Sequence, residues 1–208
     1  MISINRLLKD YGFEGFDLRA IRGDTNTYEV VRPDGSVARH LSEGERNFIA
    51  FLYFYFQLHG SLSSNGETRD RIVIIDDPVS SMDTGALFIV AALVRQLVDI
   101  CANNYMETPG SDERDHIKQI FILTHNAYFF REASYNRVKD YEIASFHLEQ
   151  KRDNRSSVTR CVKNCRESPS RQENYTPVTN SYAVLWDEYR ELASPNPLLN
   201  VMRRILEH

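Results

Sequence analysis

The sequence predicts an α/β domain in which parallel central strands are flanked by helices. Four of the five residues 71–75 are branched aliphatics without polar alternation, which is typical of a strand buried on both faces of a parallel sheet, and residues 117–123 predict a second buried strand. Residues 85–100 lie between them and carry apolar side chains at helical spacing. Both apolar runs end in polar residues, at the sheet edge where open α/β sheets bind ligands.

The composition is that of an ordinary globular chain. Its 208 residues are 42% hydrophobic and 26% charged, enough for one core with a small appendage. A net charge of −4 gives no overall basic footprint for nucleic acid. There is no apolar stretch of about 18 residues and no signal-peptide core, so we expect no membrane span. Three cysteines argue against a disulfide framework and favour the cytoplasm.

The first forty residues predict a helix followed by a small β-meander. Apolar side chains at helical spacing indicate a helix that ends at residues 11–15. Residues 17–21 and 27–31 have the composition of strands. Pro33, Asp34 and Gly35 form a turn signal before Val37.

A long apolar helix begins after Leu41. Ser42 and Glu45 have the spacing of a capping box. Gly44 costs about 1 kcal/mol inside a helix, which is easier to explain if a phosphate approaches the backbone. A helix N-terminus with a nearby hydroxyl is a ready anion site. The alternative is a well-capped core helix.

Two adjacent carboxylates, Asp76 and Asp77, end the first apolar strand. An acidic pair there is costly to desolvate unless it meets a cation or hydrogen-bond donors. Mg²⁺ is usually held by one or two carboxylates plus substrate phosphates. The alternative is a pair of solvated aspartates that opens a turn at Pro78. Asp83 or Thr84 is expected to cap the following helix, and residues 59–70 and 101–116 read as surface loops.

The second apolar strand ends in Thr124, His125 and Asn126. A histidine beside a carboxylate pair can donate to a phosphate and respond to its presence. A lone histidine is more often a satisfied structural residue. Asn126 is expected to cap a short helix.

The remainder predicts a strand over 141–148, a basic stretch over 151–171, and helices over 181–192 and 198–206. The basic stretch has seven Lys or Arg against two acids. It is either a solvated hairpin and loop or a phosphate-contacting patch for DNA or RNA. The last helix stops abruptly, which suggests a truncation or a docking partner.

Several of these motifs, in this order, resemble the second half of an ABC-type ATPase head. Residues 41–45 (LSEGE) resemble the signature motif, 72–76 the Walker B strand, 80–83 (SSMD) the D-loop, and His125 the switch histidine. The motif sequences most closely resemble those of AAA_13-like heads of the PrrC and RloC anticodon-nuclease type, which are related to SMC-like DNA-repair ATPases. The segments that carry this resemblance are LSEGERNFIAFLYF, IIDDPVSSMD and ILTHN. The resemblance covers roughly residues 1–150, leaving 151–208 as a basic and helical extension.

The resemblance implies a P-loop NTPase-like C-terminal lobe that uses ATP and Mg²⁺. Asp76 would hold the metal, Asp77 would orient the attacking water in place of the family's glutamate, and His125 would sense the γ-phosphate. Residues of the signature and the D-loop would complete the nucleotide site of a partner head: Ser42, Glu43, Gly44, Glu45, Ser81 and Asp83.

The sequence contains no G-x-x-x-x-G-K-[ST] motif and no Gly-Lys dipeptide. That loop cradles the nucleotide phosphates, so the resemblance implies a half-head that is inactive alone. The implied partners are an N-terminal half bearing the loop, a second head in a dimer, and DNA or RNA, with no membrane. The implied function is an ATPase that gates a nucleic-acid effector, such as an anticodon nuclease or an anti-phage system.

Three rival functions remain open. A non-hydrolytic clamp would dimerise on DNA or RNA with negligible turnover, which the shorter side chain of Asp77 favours. An RNA-cleaving toxin would carry its nuclease residues within 152–208. A scaffold would have no activity.

Overall fold

The computed structural model describes residues 2–21, 28–59, 70–106, 117–135, 137, 143–152, 155–166, 168, 170–176, 186, 189 and 202. The chain divides into two compact units, Met1–Thr124 and His125–His208. The two units are described separately below.

The first unit begins with a helix and a β-hairpin, as predicted. α1 (Ile2–Asp10) precedes β1 (Asp17–Ala20) and β2 (Tyr28–Val31), which pair antiparallel. The Asn5 amide donates to the Leu18 carbonyl and accepts from the Leu18 N–H at 2.8 and 2.9 Å, which ties α1 to β1. Gly35 has a φ of 82°, and Val37 then makes a single bridge to Val31. The third strand of the expected meander is therefore one bridge long.

The centre of this unit is a strand–helix–strand unit. β3 (Arg71–Asp76) and β4 (Ile117–Leu123) are parallel neighbours, and α3 (Thr84–Met106) connects them. The register pairs Ile74 with Phe121 and Asp76 with Leu123. The α/β class and the parallel pairing predicted from the apolar runs are confirmed for these two strands.

The expectation that these strands are buried on both faces is wrong. Alternate residues of β3, Val73 and Ile75, are 3% and 4% exposed, whereas Ile72 and Ile74 are 66% and 63% exposed. On β4, Phe121 and Leu123 are 46% and 47% exposed. Because α3 contacts β4 and shields one face, the continuous apolar pattern leaves the other face uncovered. We call the uncovered residues the open face: Ile72, Ile74, Phe121 and Leu123.

α2 (Glu43–His59) contacts α3 and completes the core of this unit. Phe48 is 1% exposed and packs edge-to-face against Phe13 and Phe16. The Tyr55 hydroxyl donates to the Gln96 side chain at 2.7 Å.

α3 is longer than the sequence predicts. Residues 101–106, expected to be loop, continue the helix because the Asn104 amide donates to the Ile117 carbonyl at 3.3 Å, giving this polar residue a partner. Residues 107–116 of the expected loop lie outside the described residues.

By length and composition, Thr84–Asn104 is also apolar enough to cross a membrane, contrary to the expectation that no such stretch exists. Leu93, Val94 and Leu97 are fully buried, which is typical of a core helix.

Between residues 127 and 176, the described part of the second unit has one short helix and two antiparallel strand pairs. α4 (Ala127–Ala133) is followed by the antiparallel pairs β5 (His147–Arg152) with β6 (Arg155–Arg160) and β7 (Val162–Asn164) with β8 (Gln172–Asn174). The strand expected over 141–148 instead begins at His147, since residues 143–146 are irregular.

Most of the remaining predictions fall outside the described residues. The expected loop over 59–70 is described only at its two ends, and the two C-terminal helices only at Trp186, Tyr189 and Met202. These three residues are helical, and the Trp186 and Tyr189 rings lie edge-to-face at 5.6 Å. That contact agrees with the shared helix face predicted for them.

Candidate functional site

The acidic pair lies where the two parallel strands end. Asp76 is the last residue of β3 and is exposed. The Asp77 N–H donates to the Leu123 carbonyl at 2.8 Å, and the Thr124 hydroxyl donates to Asp77 Oδ1 at 3.4 Å. Asp77 has a φ of 43°, a left-handed conformation that aspartate tolerates better than most residues. The strand tip therefore has a defined geometry, in which Thr124 orients the second carboxylate.

The segment that follows the tip leads directly into α3. Val79 is 4% exposed, and its carbonyl accepts from the Met82 N–H at 3.3 Å. Asp83 Oδ1 accepts from the Ala86 N–H at 2.9 Å, so Asp83 is the cap of α3. This hydrogen bond fixes the position of the Asp83 carboxylate, which is predicted to contribute to the nucleotide site of a partner head.

The capping box predicted at the start of α2 is confirmed. The Ser42 hydroxyl accepts from the Glu45 N–H at 3.1 Å, and Glu45 Oε2 accepts from the Ser42 N–H at 2.8 Å. The Arg32 guanidinium donates to both oxygens of Glu45 and, at 3.4 Å, to the His40 carbonyl. The hydrogen bond from Arg32 lowers the pKa of Glu45 to about 2. Glu45 is therefore an ionised carboxylate that is paired with Arg32 and holds this loop in place. Glu43 is the exposed acid of the first turn.

Gly44 has a different explanation from the one the sequence suggested. A β-carbon at this position would overlap the Ser81 carbonyl oxygen and lie 3.2 Å from Met82 Cα. The close approach of the chain's own backbone is thus sufficient to require a glycine here, and the predicted contact of Gly44 with a phosphate stays a prediction. Ser81 has a φ of 60°, which is rare for a serine and keeps its backbone in this position.

A second link holds the same two segments together. The Asn47 amide donates to the Ser80 carbonyl at 3.0 Å, one turn along α2 from Gly44. We call these four residues the signature junction: Gly44, Asn47, Ser80 and Ser81. The junction joins the first turn of α2 to the segment that follows the acidic strand tip.

The contacts made by Arg32, Asn47 and Thr124 were not predicted from the sequence. Asn47 carries a visible signal, because it is an uncharged polar residue directly before the apolar run 48–56 and one turn after a glycine. Thr124 lies beside the histidine that drew attention to this strand end. Arg32 carries no signal, since its ion pair with Glu45 joins a turn and a helix that no local pattern connects.

His125 follows Thr124 in the chain and is the first residue of the second unit, where it is exposed. The side chain of Asn126 accepts from the Phe129 N–H at 2.9 Å, so the predicted cap of α4 is confirmed. Because His125 directly precedes the cap of α4, its backbone has limited conformational freedom. The role of His125 as a γ-phosphate sensor stays a prediction.

The donor chemistry at the strand tip fits Mg²⁺ only in part. Within the described ranges, no three His, Cys, Asp or Glu side chains form a cluster that could hold a metal ion. Two carboxylates with a neighbouring hydroxyl are nonetheless the hard oxygen donors that Mg²⁺ takes alongside water and phosphate. Asp76 is the accessible donor, because it is exposed whereas Asp77 is half-buried.

Comparison with known proteins identifies relatives. Two curated Staphylococcus aureus proteins, one from strain MRSA252, are described as "Uncharacterized chromosomal cassette SCCmec type IVc protein CR006" and are 33% identical over 115 residues. The matched region covers 52% of this chain but 14% of each relative, so the chain corresponds to a small part of their length.

One solved structure is described as "Structural biochemistry of ATP-driven dimerization and DNA stimulated activation of SMC ATPases." It is 14% identical, covers 92% of this chain and 93% of its own, and has a TM-score of 0.42, too low to establish a shared fold.

The AAA_13 family, described as "AAA domain", matches residues 2–208. The match extends well beyond the 1–150 region in which the sequence motifs were found. It includes both units of the structure. The chain therefore belongs to the AAA_13 family of AAA domains.

Proposed function

We propose that this chain is the C-terminal half of an SMC-like ATPase head with a P-loop NTPase-like lobe. It would bind and hydrolyse Mg·ATP together with a segment that carries the phosphate-binding loop. The observation that carries the proposal is the signature junction, which joins the N-terminus of α2 to the segment after the acidic strand tip. Two elements fixed in this way would meet a nucleotide as one preorganised surface.

The proposed roles follow from the geometry of the strand tip. Asp76 is exposed at the end of β3 and would hold Mg²⁺, which supplies charge stabilisation on the phosphates when bound. Asp77 would accept a hydrogen bond from the attacking water and orient it, with its carboxylate held by Thr124. His125 would donate to the γ-phosphate.

The signature residues would act on the nucleotide of a second head. Ser42, Glu43 and Gly44 lie at the exposed or half-exposed start of α2, where the helix dipole favours an anion. Glu45 would contribute by holding this loop against Arg32. Ser81 and Asp83 would contribute by fixing the segment beside it.

The open face supports a half-head. Four large apolar side chains on one face of a two-stranded parallel sheet are an exposed patch that is normally covered by a partner. The sequence also lacks the Gly-Lys loop that cradles phosphates. We propose that the segment bearing this loop also covers the open face. One partner would then supply both the phosphate-binding loop and the cover for the exposed apolar side chains.

Mg·ATP binding measured by calorimetry tests the proposal. The chain is titrated alone and together with the separately expressed segment that bears the Gly-Lys loop. Binding by the mixture but not by the chain alone supports the proposal. Tight binding by the chain alone contradicts the half-head assignment, and no binding by either contradicts the ATPase assignment.

A non-hydrolytic clamp is the second candidate. The observation that favours it is the short side chain of Asp77, which is held by Thr124 and starts from a left-handed backbone. A clamp predicts nucleotide-dependent dimerisation without turnover. In the complemented protein, turnover that disappears in Asp77→Asn while dimerisation remains supports the ATPase. Equal, negligible turnover in both proteins supports the clamp.

Because the motif sequences resemble those of anticodon-nuclease ATPase heads, we extend the proposal to a cytoplasmic system in which ATP gates a nucleic-acid effector. An anticodon nuclease or another anti-phage activity is the effector class it suggests. ATP-dependent cleavage of tRNA by the complemented protein would support this extension, and cleavage that continues in Asp76→Asn would instead support an independent toxin.

A further inference from the structure

The side chain of Asn47 makes the polar link of the signature junction. Its Nδ2 donates to the Ser80 carbonyl at 3.0 Å, across 33 positions of the chain. Asn47 is half-buried on α2, whereas the side chain of Ser80 is exposed. The link therefore holds the backbone at residue 80 and leaves the serine hydroxyl at the surface.

The segment that Asn47 holds begins and ends in left-handed backbone. We call residues 77–81 the tip segment, because they follow the acidic strand tip. Asp77 has a φ of 43° and Ser81 a φ of 60°. Such a conformation costs free energy in a residue with a side chain, so it persists only where the surrounding contacts determine it. The contact at the Asp77 end is its N–H bond to the Leu123 carbonyl at 2.8 Å.

At the other end of the tip segment, α2 supplies the contacts. The Asn47 amide holds the carbonyl before Ser81, and Gly44 lies directly against the Ser81 carbonyl. The middle has little freedom to move, because the ring of Pro78 fixes its own φ and Val79 is 4% exposed. A displacement at one end of so short a segment should therefore be transmitted to the other.

We propose that Asn47 is a positioning residue for ATP hydrolysis, an inference that rests on the proposed function. The Thr124 hydroxyl holds the Asp77 carboxylate from the strand side at 3.4 Å, and Asn47 holds the backbone that leads away from it. Without the Asn47 bond, the tip segment relaxes and Asp77 no longer points at the attacking water. Mg·ATP stays bound, because Asn47 touches neither the metal nor the nucleotide.

The link needs an amide. A carboxylate of the same size cannot donate, and its oxygens would face the oxygen of the Ser80 carbonyl. Asparagine is also a poorer helix former than alanine or leucine, so α2 by itself does not favour it at this position. A link that served stability alone would make the variant protein unfold more easily and leave the turnover of its folded fraction unchanged.

The isosteric variant Asn47→Asp tests the role in the chain mixed with the segment that bears the Gly-Lys loop. Its kcat for ATP hydrolysis should fall about tenfold or more, because the water is misplaced. Its Kd for Mg·ATP, measured by calorimetry, should stay within about twofold of the wild type. Asn47→Gln retains an amide donor and should recover part of the turnover. Far-ultraviolet circular dichroism confirms that each variant is folded.

Hydrogen exchange of the chain alone gives a readout that needs no ATP. The Met82 N–H donates to the Val79 carbonyl at 3.3 Å in the turn that surrounds Ser80. In Asn47→Asp, the Met82 amide should exchange about threefold faster or more, since the loss of one hydrogen bond favours local opening. Unchanged exchange would overturn the inference, because the tip segment would then not depend on Asn47.

The matched control is Gln57→Glu, which replaces an amide by a carboxylate at an exposed position of the same helix. It should leave kcat, Kd and exchange as in the wild type. Equal turnover of the wild type and Asn47→Asp would overturn the inference, as would a Kd that rises as much as kcat falls. Absent binding or turnover in the wild-type mixture would instead overturn the proposed function, so the two failures are distinguishable.

Discussion

The signature junction and the basic ribbon, which is the strand pair of β5 and β6, are organised in opposite ways. At the junction, backbone atoms of two segments approach so closely that no side chain fits at Gly44. Along the ribbon, every residue of β6 is exposed, and among the described strands β5 and β6 pair with each other alone. The first region depends on close packing, whereas β6 in the second region is exposed to solvent. Substitutions should therefore lower the stability of the fold at the junction and have little effect on it at exposed positions of β6.

The substitution Gly44→Ala should have the largest effect on stability. Its β-carbon would overlap the Ser81 carbonyl, and overpacking of this kind costs about 1–3 kcal/mol in the free energy of unfolding. Urea denaturation followed by far-ultraviolet circular dichroism measures it, since the single tryptophan, Trp186, reports on the second unit.

The matched control for this substitution is Gly85→Ala. Gly85 is also the second residue of a helix, but its nearest obstacle is the Asp83 carboxylate at 3.2 Å. Replacing it should be neutral or should stabilise by up to about 1 kcal/mol, because alanine is the better helix former. Equal effects of the two substitutions would show that the junction is not tightly packed.

The substitution Asp83→Ala should have the next largest effect. It removes the side chain that accepts from the Ala86 N–H at the start of α3 and should lower the free energy of unfolding by about 1 kcal/mol. Asp83→Asn retains a good cap and should fold nearly as stably as the wild type in the same denaturation experiment. Nucleotide-site assays of Asp83→Asn would then report on its proposed role without the loss of α3.

Acid should weaken the anchor of the signature loop. The pKa of Glu45 is lowered to about 2 from its ordinary value of 4.5, so its contribution to stability is complete above pH 4.5 and is lost as the pH falls toward 2. Glu45→Gln can keep the capping box but removes the ion pair with Arg32. The difference in unfolding free energy between wild type and variant should therefore shrink through this range.

A second variant checks that the ion pair is the cause. Arg32→Gln should remove the same part of the pH dependence as Glu45→Gln, and the double variant should show no further change. Additive losses in the double variant would assign the pH dependence to other groups.

The ribbon should show the smallest effect on stability. The variant Arg155→Ser changes an exposed position of β6, and its free energy of unfolding should stay within about 0.5 kcal/mol of the wild type. Denaturation followed by Trp186 fluorescence measures this in the second unit. A large loss of stability would mean that the ribbon has a structural role, and the two regions would no longer differ in kind.

The sequence predicts those features that depend on neighbouring residues. Ser42 and Glu45 predict the start of α2, because both hydrogen bonds of a capping box form within one turn. The parallel pairing of β3 and β4 follows from two apolar runs separated by a helix. Asp76 and Asp77 are placed at the strand tip by the same argument.

The features that were missed depend on contacts between distant segments. The reason for Gly44 is the backbone of Ser81, which no local pattern identifies. The continuation of α3 through Asn104 depends on the Ile117 carbonyl, so a polar stretch that reads as loop remains helical. The exposure of Ile72 and Ile74 could not be predicted either. A continuous apolar run is compatible with a strand covered on one face as well as with a strand covered on both.

The open face also bears on how the chain must be produced. Among the described residues, β3 and β4 pair only with each other, so their outer edges and the apolar side chains of Ile72 and Ile74 are available for association. Such edges promote aggregation when no partner covers them. Excess chain should therefore precipitate in a cell, and co-expression with the covering segment should set the soluble yield by the scarcer of the two.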